Sequence, residues 1–433
     1  MLGHTWRNED NPNLRDPGFQ QLLARGTEWA ATGGVAAIPE TEWRKKILST
    51  LHSPDPLPAL EVKQHGKFSV EKGTQAERFS YRTQLGMRVP AIVYAPSAAP
   101  QVRRPAIIVV NGHGGDKFSW YAMYTGMAYA RLGAVVLTYD PLGEGERNAK
   151  LQSGTRAHDR VVQPEEMGRY MGGLMLTDVR QAVSYLASRP DVDATRIAAV
   201  GYSMGSFVLS VACAAETRLR ACVLVGGGNL DGPGEYWDGS KPMCQGIPYR
   251  SLAFLGDRPA ALYSLHALRG ATLIYNGDAD TVVNIPKKGQ TYLEEVRRAT
   301  IALSGKNEVF DIDFVKGTSH RPYFVTKPVA IWLHRYLHFS HADLEKIPVQ
   351  RIAGWAREHN VEMDKLYATY DREGGTPALF NDIPALTRAQ LRVFSEKDWQ
   401  AARGELIYES WVEKARLRLT PPPSSRTGST PER

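Results

Sequence analysis

The sequence predicts an α/β fold: a mostly parallel central sheet with helices on both faces. Three observations lead there. From Pro105 onward, short apolar runs rich in β-formers alternate with helical segments. A strand-like run, Ile197 to Val200, passes directly into Gly201-Tyr202-Ser203-Met204-Gly205 and then into an apolar helical segment from Phe207 to Ala215. The two apolar runs at Ala271–Asn276 and Val309–Val315 end in loops that carry an aspartate and a histidine. Alternation of this kind gives parallel strands joined by crossover helices, with functional side chains collected beyond the strand ends.

Taken in order, residues 1–60 mix helical stretches with Pro and Gly and carry Trp6, Trp29 and Trp43, a density of aromatics expected of a leader that packs on the main body. Lys67 to Ala95 reads as antiparallel strands with a turn at Gly86. Ile107–Val110 and Ala134–Tyr139 are the first buried strands, joined by a helix over about Ser119–Leu132. A helix over about Leu174–Ser188 puts Leu176, Val179, Val183 and Leu186 on one face and stops before Pro190. Ala221–Val225 follows the serine turn, then an irregular insertion to about Arg269. Ala271–Asn276, a helix near Gln290–Ala302, Val309–Val315 and a helix over Lys327–Leu337 complete the pattern. The expected division is an N-terminal helical extension (1–60), a central α/β unit (61–338) with a cap-like insertion (228–269), a C-terminal helical extension (339–418) and a disordered tail (419–433) that lacks apolar content.

The serine turn is the centre of the chemistry. A strand that turns this sharply into a helix strains its central residue and needs small neighbours at Gly201 and Gly205, leaving Ser203 exposed at a helix N-terminus. A serine hydroxyl needs a base, and the base needs a carboxylate to orient it. His320, in the loop after Val315, is the candidate base, and Asp280, three residues past Gly277, the candidate acid; Asp278 and, more distantly, Asp231 are alternatives. The order Ser203, Asp280, His320 is that of nucleophile, acid and base in one known arrangement. For the oxyanion, the Met204 N–H is one donor and Gly114, in Asn111-Gly112-His113-Gly114-Gly115, is the chosen second. Asp140, Glu144, Glu146 and Arg147 border the same rim, either contacting substrate or forming an ion-paired brace, the latter favoured.

Composition narrows the partners. Net charge is +7 and the pI about 9.1, but Lys and Arg are spread along the chain rather than gathered into blocks, which argues against nucleic acid. No apolar run spans a bilayer, and the first residues lack the apolar core of a secretory signal, so the expectation is cytoplasmic as written, with export open if the start is trimmed or misassigned. His334, His338 and His341 read as a helix face rather than a metal site, and the glycine-rich loop lacks the GxxxxGK[ST] phosphate pattern. Cys213, Cys222 and Cys244 are read as buried free thiols.

These residues, GHGGDK, YDPLGEGER, the run from Leu176 through Ser206, GDADTVV and SHRPYF, resemble the α/β-hydrolase superfamily, nearest to bacterial serine esterases of the acetylxylan-esterase-like and dienelactone-hydrolase-like type, over about Lys67–Leu337. The resemblance implies an α/β-hydrolase fold and an ester hydrolase with Ser203, Asp280 and His320 as triad and Met204 with Gly114 as oxyanion donors. It also implies no metal or organic cofactor, and a small-molecule or carbohydrate ester as substrate. Dienelactone hydrolases use cysteine where this chain has Ser203, which favours simple esters. The alternatives are a prolyl-oligopeptidase-like peptidase and a catalytically silent binding protein; oligomeric state is left open.

Overall fold

Among the described residues, nine strands form one sheet: β1 Lys63–Glu71, β2 Thr74–Arg82, β3 Arg88–Pro96, β4 Arg104–Val110, β5 Val135–Tyr139, β6 Val192–Tyr202, β7 Leu219–Val225, β8 Ala271–Gly277 and β9 Phe310–Val315. The computed structural model describes residues 38–99, 101–160, 164–232, 234–340, 343–361 and 375–419, with a few isolated positions before 38. The spatial order is β1-β2-β3-β5-β4-β6-β7-β8-β9. The pairs β1–β2, β2–β3 and β3–β5 are antiparallel, and every pair from β5 through β4 to β9 is parallel.

The period of two along a strand sorts the core into two layers. On β4 and β6, Ala106, Ile108, Val110, Ile197 and Ala199 join one buried cluster, with helices Pro164–Ser188 and Met204–Ala215. Ile107, Val109, Ala198 and Val200 join the other, with helices Trp120–Arg131 and Lys327–Leu337. Strand register aligns the carboxyl ends: Tyr202 lies opposite Val225, Val225 opposite Tyr275, and Gly277 opposite Val315. Whatever follows β6, β7, β8 and β9 therefore emerges on one rim.

Several expectations are corrected. Helix Pro164–Ser188 begins well before Leu174. Its early turns contain Gly168, Gly172 and Gly173, poor helix formers, but a Cβ there would run into Ile247, Pro248 and the Leu51 carbonyl, so close packing overrides propensity. The segment read as irregular, 228–269, is largely helical: Tyr236–Ser240, Met243–Ser251 and Arg258–Ala267. Asp257 caps the last of these through the Ala260 N–H, and the buried Arg258 guanidinium binds Asp238 (2.8 Å) and the Tyr249 carbonyl (2.7 Å). Cys213 and Cys222 are not free thiols: they form a disulfide joining helix Met204–Ala215 to β7, while Cys244 is free and buried.

The C-terminal part is not purely helical. Val349–Arg351 and Pro377–Leu379 pair antiparallel, and helices Ile352–Glu358, Arg388–Leu391, Glu396–Leu406 and Tyr408–Leu419 bury Trp355, Trp399 and Trp411 against the main body. Trp43 is buried on the helix Glu40–Thr50, whose Arg44 reaches the carbonyls of Ala214 and Leu265. Trp6, Trp29, His341 and the tail after Leu419 lie outside the described residues. Among the described residues, no helix is long and apolar enough to cross a membrane.

Candidate active site

Ser203 sits between β6 and the helix Met204–Ala215 with φ 55° and ψ −114°, a backbone conformation costly for a residue with a side chain. The turn is locked from both sides. The Ser203 N–H donates to the Val225 carbonyl (2.8 Å), its carbonyl accepts from the Ser206 N–H (3.0 Å), and a Cβ on Gly205 would collide with the Val110 carbonyl. The helix N-terminus beneath the hydroxyl favours negative charge there.

His320 and Asp280 reach the same rim from the loops after β9 and β8. His320 Nδ1 lies 2.6 Å from Asp280 Oδ2, and both side chains are buried. Asp280 Oδ1 accepts from the N–H groups of Val282 (3.0 Å) and Val283 (3.3 Å), so its orientation is fixed by its own loop. Asp278 instead braces the turn, accepting from the Gly317 N–H (2.7 Å), and Asp231 is engaged by Lys288 (2.7 Å) and the Trp237 N–H (3.0 Å). Ser203 and His320 line one pocket of about 170 Å³ with His113, Arg156, Tyr236, Trp237, Lys241, Gln245 and Val282. A larger cleft of about 780 Å³, lined by Arg44, Arg180, Glu216 and Arg218 among others, lies elsewhere and contains none of these groups. The candidate site is therefore chosen by its convergent polar groups and not by volume.

Three residues not singled out from the sequence shape this pocket. Gly226 has φ 62°, and a Cβ on it would fall 2.7 Å from His320 Cε1, so a glycine at the end of β7 makes room for the imidazole. Its signal was the Gly226-Gly227-Gly228 run. Tyr202 tilts its ring against that imidazole at 4.9 Å and donates to the His320 carbonyl (3.3 Å). Lys241 lies over the rings of Tyr236 and Trp237, and burial, opposed by Asp280 and Asp231, pushes its ammonium down to about 8.

The glycine-rich loop after β4 is held from several sides. Gly114 turns toward Gly154, and its carbonyl accepts from the Gly154 N–H (3.0 Å), while its neighbour His113 is on the pocket wall. Gly112 packs against Tyr202 and the Ser203 Cβ. The N–H groups of Gly112 and Gly115 are already engaged, by the Tyr121 hydroxyl (3.2 Å) and the Gly112 carbonyl (2.9 Å), which leaves those of His113 and Gly114 as the candidate donors of this loop. Met204 remains the first residue of the helix after the turn.

The acidic run after β5 is a brace. Asp140 binds Lys117, and Glu146 binds Lys117 (2.7 Å) and the N–H groups of Val393 (2.9 Å) and Phe394 (2.8 Å). Glu144 accepts from the N–H groups of Thr155 and Arg156, and Arg147 pairs with Asp178 (2.5 Å).

Sheet order, the strained serine turn and the loops after β8 and β9 are those of the α/β-hydrolase fold. Residues 89–241 match the model of the dienelactone hydrolase family. YtaP of Bacillus subtilis (strain 168), a hydrolase by name, is 29% identical over 130 residues, which are 28% of this chain and 42% of that one; the match spans less than half of that relative. Among solved structures, Methylesterase BT1017 superposes with a TM-score of 0.59 at 18% identity, covering 95% of this chain and 81% of its own. That superposition extends past the Lys67–Leu337 span of the sequence resemblance. A glucuronoyl esterase from Solibacter usitatus aligns at 0.49 and 13% identity over 71% of this chain and 95% of its own, too loosely to add to the argument.

Proposed function

We propose that the protein is a serine hydrolase that cleaves carboxylic esters through an acyl-enzyme. The observation that carries this reading is a serine in a strained turn, sharing a small pocket with a histidine whose Nδ1 is 2.6 Å from a buried aspartate. In this reading Asp280 holds the proton on His320 Nδ1, leaving Nε2 basic and directed to the Ser203 hydroxyl. Ser203 Oγ attacks the ester carbonyl as His320 takes its proton, and the oxyanion is met by the N–H groups of Met204 and Gly114. His320 returns the proton to the departing alcohol. Water, activated by the same imidazole, then releases the acid.

The pocket volume of about 170 Å³ favours a small acyl or alkyl group at the reacting end. An acetylated carbohydrate fits that limit, with the helices within 228–269 acting as a cap over the leaving group. The test is hydrolysis of a chromogenic acetyl ester together with fluorophosphonate labelling mapped by mass spectrometry. Labelling at Ser203, and a loss in Ser203→Ala on the order of 10⁴-fold or more in kcat, are expected. Undiminished turnover in that variant, or labelling at another residue, overturns the reading.

A further inference from the structure

Behind the pocket wall, four donor atoms from three separate stretches converge: His113 Nε2, His158 Nε2, an Asp159 carboxylate oxygen and Cys244 Sγ, all within 4.8 Å of one another. His113 comes from the loop after β4, His158 and Asp159 from a single 3-10 turn at Ala157–Arg160, and Cys244 from helix Met243–Ser251. Asp159 Oδ1 is 2.8 Å from His113 Nε2, and 3.6 Å from both His158 Nε2 and Cys244 Sγ; Cys244 Sγ is 3.4 Å from His113 Nε2. Tetrahedral zinc with bonds of about 2.0–2.3 Å sets neighbouring ligand atoms roughly 3.3–3.6 Å apart. Three of these separations fall close to that spacing, and the fourth needs to open by about half an ångström.

His158 points to a missing cation independently of those distances. Its ring is fully buried, and Nδ1 donates to the Leu142 carbonyl (3.1 Å), which fixes the proton on Nδ1 and leaves a bare lone pair on Nε2. That lone pair meets no hydrogen-bond donor among the described residues and faces a carboxylate oxygen across 3.6 Å. Two lone pairs confronting each other in a buried site repel, and a cation between them turns the repulsion into coordination. The outer partner of His158 is also that of a metal site: a backbone carbonyl orients its ring.

We propose that His113, His158, Asp159 and Cys244 form a structural zinc site that pins the loop after β4 from behind. Sulfur, two imidazole nitrogens and one carboxylate are a donor set suited to zinc and unsuited to the all-oxygen preference of calcium or magnesium. All four positions are filled by protein, so the ion anchors structure and offers no open position to substrate. Cys244 binds as thiolate, its proton passing to solvent. With the metal on His113 Nε2, Nδ1 carries the ring proton, so the Arg156 Nη2 now 3.1 Å from it turns aside; that side chain is 36% exposed and has water to turn into. The assignment departs from the metal-free site that the sequence resemblance implies, and it stands whether or not Ser203 is a nucleophile.

The full-length chain, stripped with a chelator, is titrated with Co²⁺ alone. The expected result is intense tetrahedral bands in the visible with a thiolate-to-metal charge-transfer band in the near ultraviolet. Competition against a chromogenic chelator should then count a single tight Zn²⁺ per chain. The charge-transfer band disappears in Cys244→Ser, and the tetrahedral bands collapse in His158→Gln. A parent spectrum no different from hydrated Co²⁺, or bands that survive both substitutions, overturns the site. The parent spectrum decides even if a variant fails to fold.

Discussion

At the scale of single residues, Asp280 should act on the tautomer of His320 rather than on its position. Asp280→Asn keeps the shape of the side chain but can present an N–H to Nδ1, turning the proton to Nε2. On the reading proposed above, kcat for a small ester should fall on the order of 10⁴-fold with little change in KM, checked by steady-state kinetics beside a melting curve that stays near the parent's. A second histidine carries a pH signature of its own. His266 is buried, its nitrogens 2.8 Å from the Thr272 hydroxyl and 3.2 Å from the Leu219 carbonyl, and burial pushes its imidazole down to about 4. A folded value below the unfolded one, about 6.5, means that the folded state resists protonation. Its stability contribution is therefore complete above about 6.5 and shrinks as pH falls toward 4. Between pH 7 and 4 the parent should lose on the order of 2–3 kcal/mol more than His266→Gln, read from denaturant midpoints at each pH.

Elements reveal where sequence patterns lead and where they stop. The serine turn and the loops after β8 and β9 were legible because a buried parallel strand announces itself as an apolar run and its loop follows directly. The path of the glycine-rich loop after β4 was not, since it depends on Gly154, some forty residues away. The disulfide was hidden for a similar reason: Cys213 and Cys222 can pair only once the helix is laid against β7. Three-residue strands such as Val349–Arg351 are too short to carry a period. Gly173 and Gly404 separate propensity from packing. Both sit in helices where alanine is intrinsically better by roughly 1 kcal/mol. A Cβ at Gly404 meets nothing within 4 Å, whereas one at Gly173 strikes the Leu51 carbonyl. Gly404→Ala should raise the melting temperature slightly, and Gly173→Ala should lower it by the equivalent of about 1–3 kcal/mol.

For the whole molecule, the decisive connection is the one between the rim and the last described helices. Glu146 is buried beside Lys117, accepts from Val393 and Phe394, and offers its carbonyl to Trp399 Nε1 (2.8 Å). Glu146→Ala leaves the buried Lys117 ammonium with Asp140 alone and strands two N–H groups, so a loss of about 2–4 kcal/mol is expected. Limited proteolysis should then release fragments from the C-terminal part first. Those partners lie 247 to 253 positions downstream of Glu146 in the chain. A nascent polypeptide emerging from the ribosome has its serine turn long before it has the groups that satisfy this carboxylate. Chains arrested short of Val393 should therefore stay chaperone-bound or aggregate, and the rim should close only once Trp399 has been made.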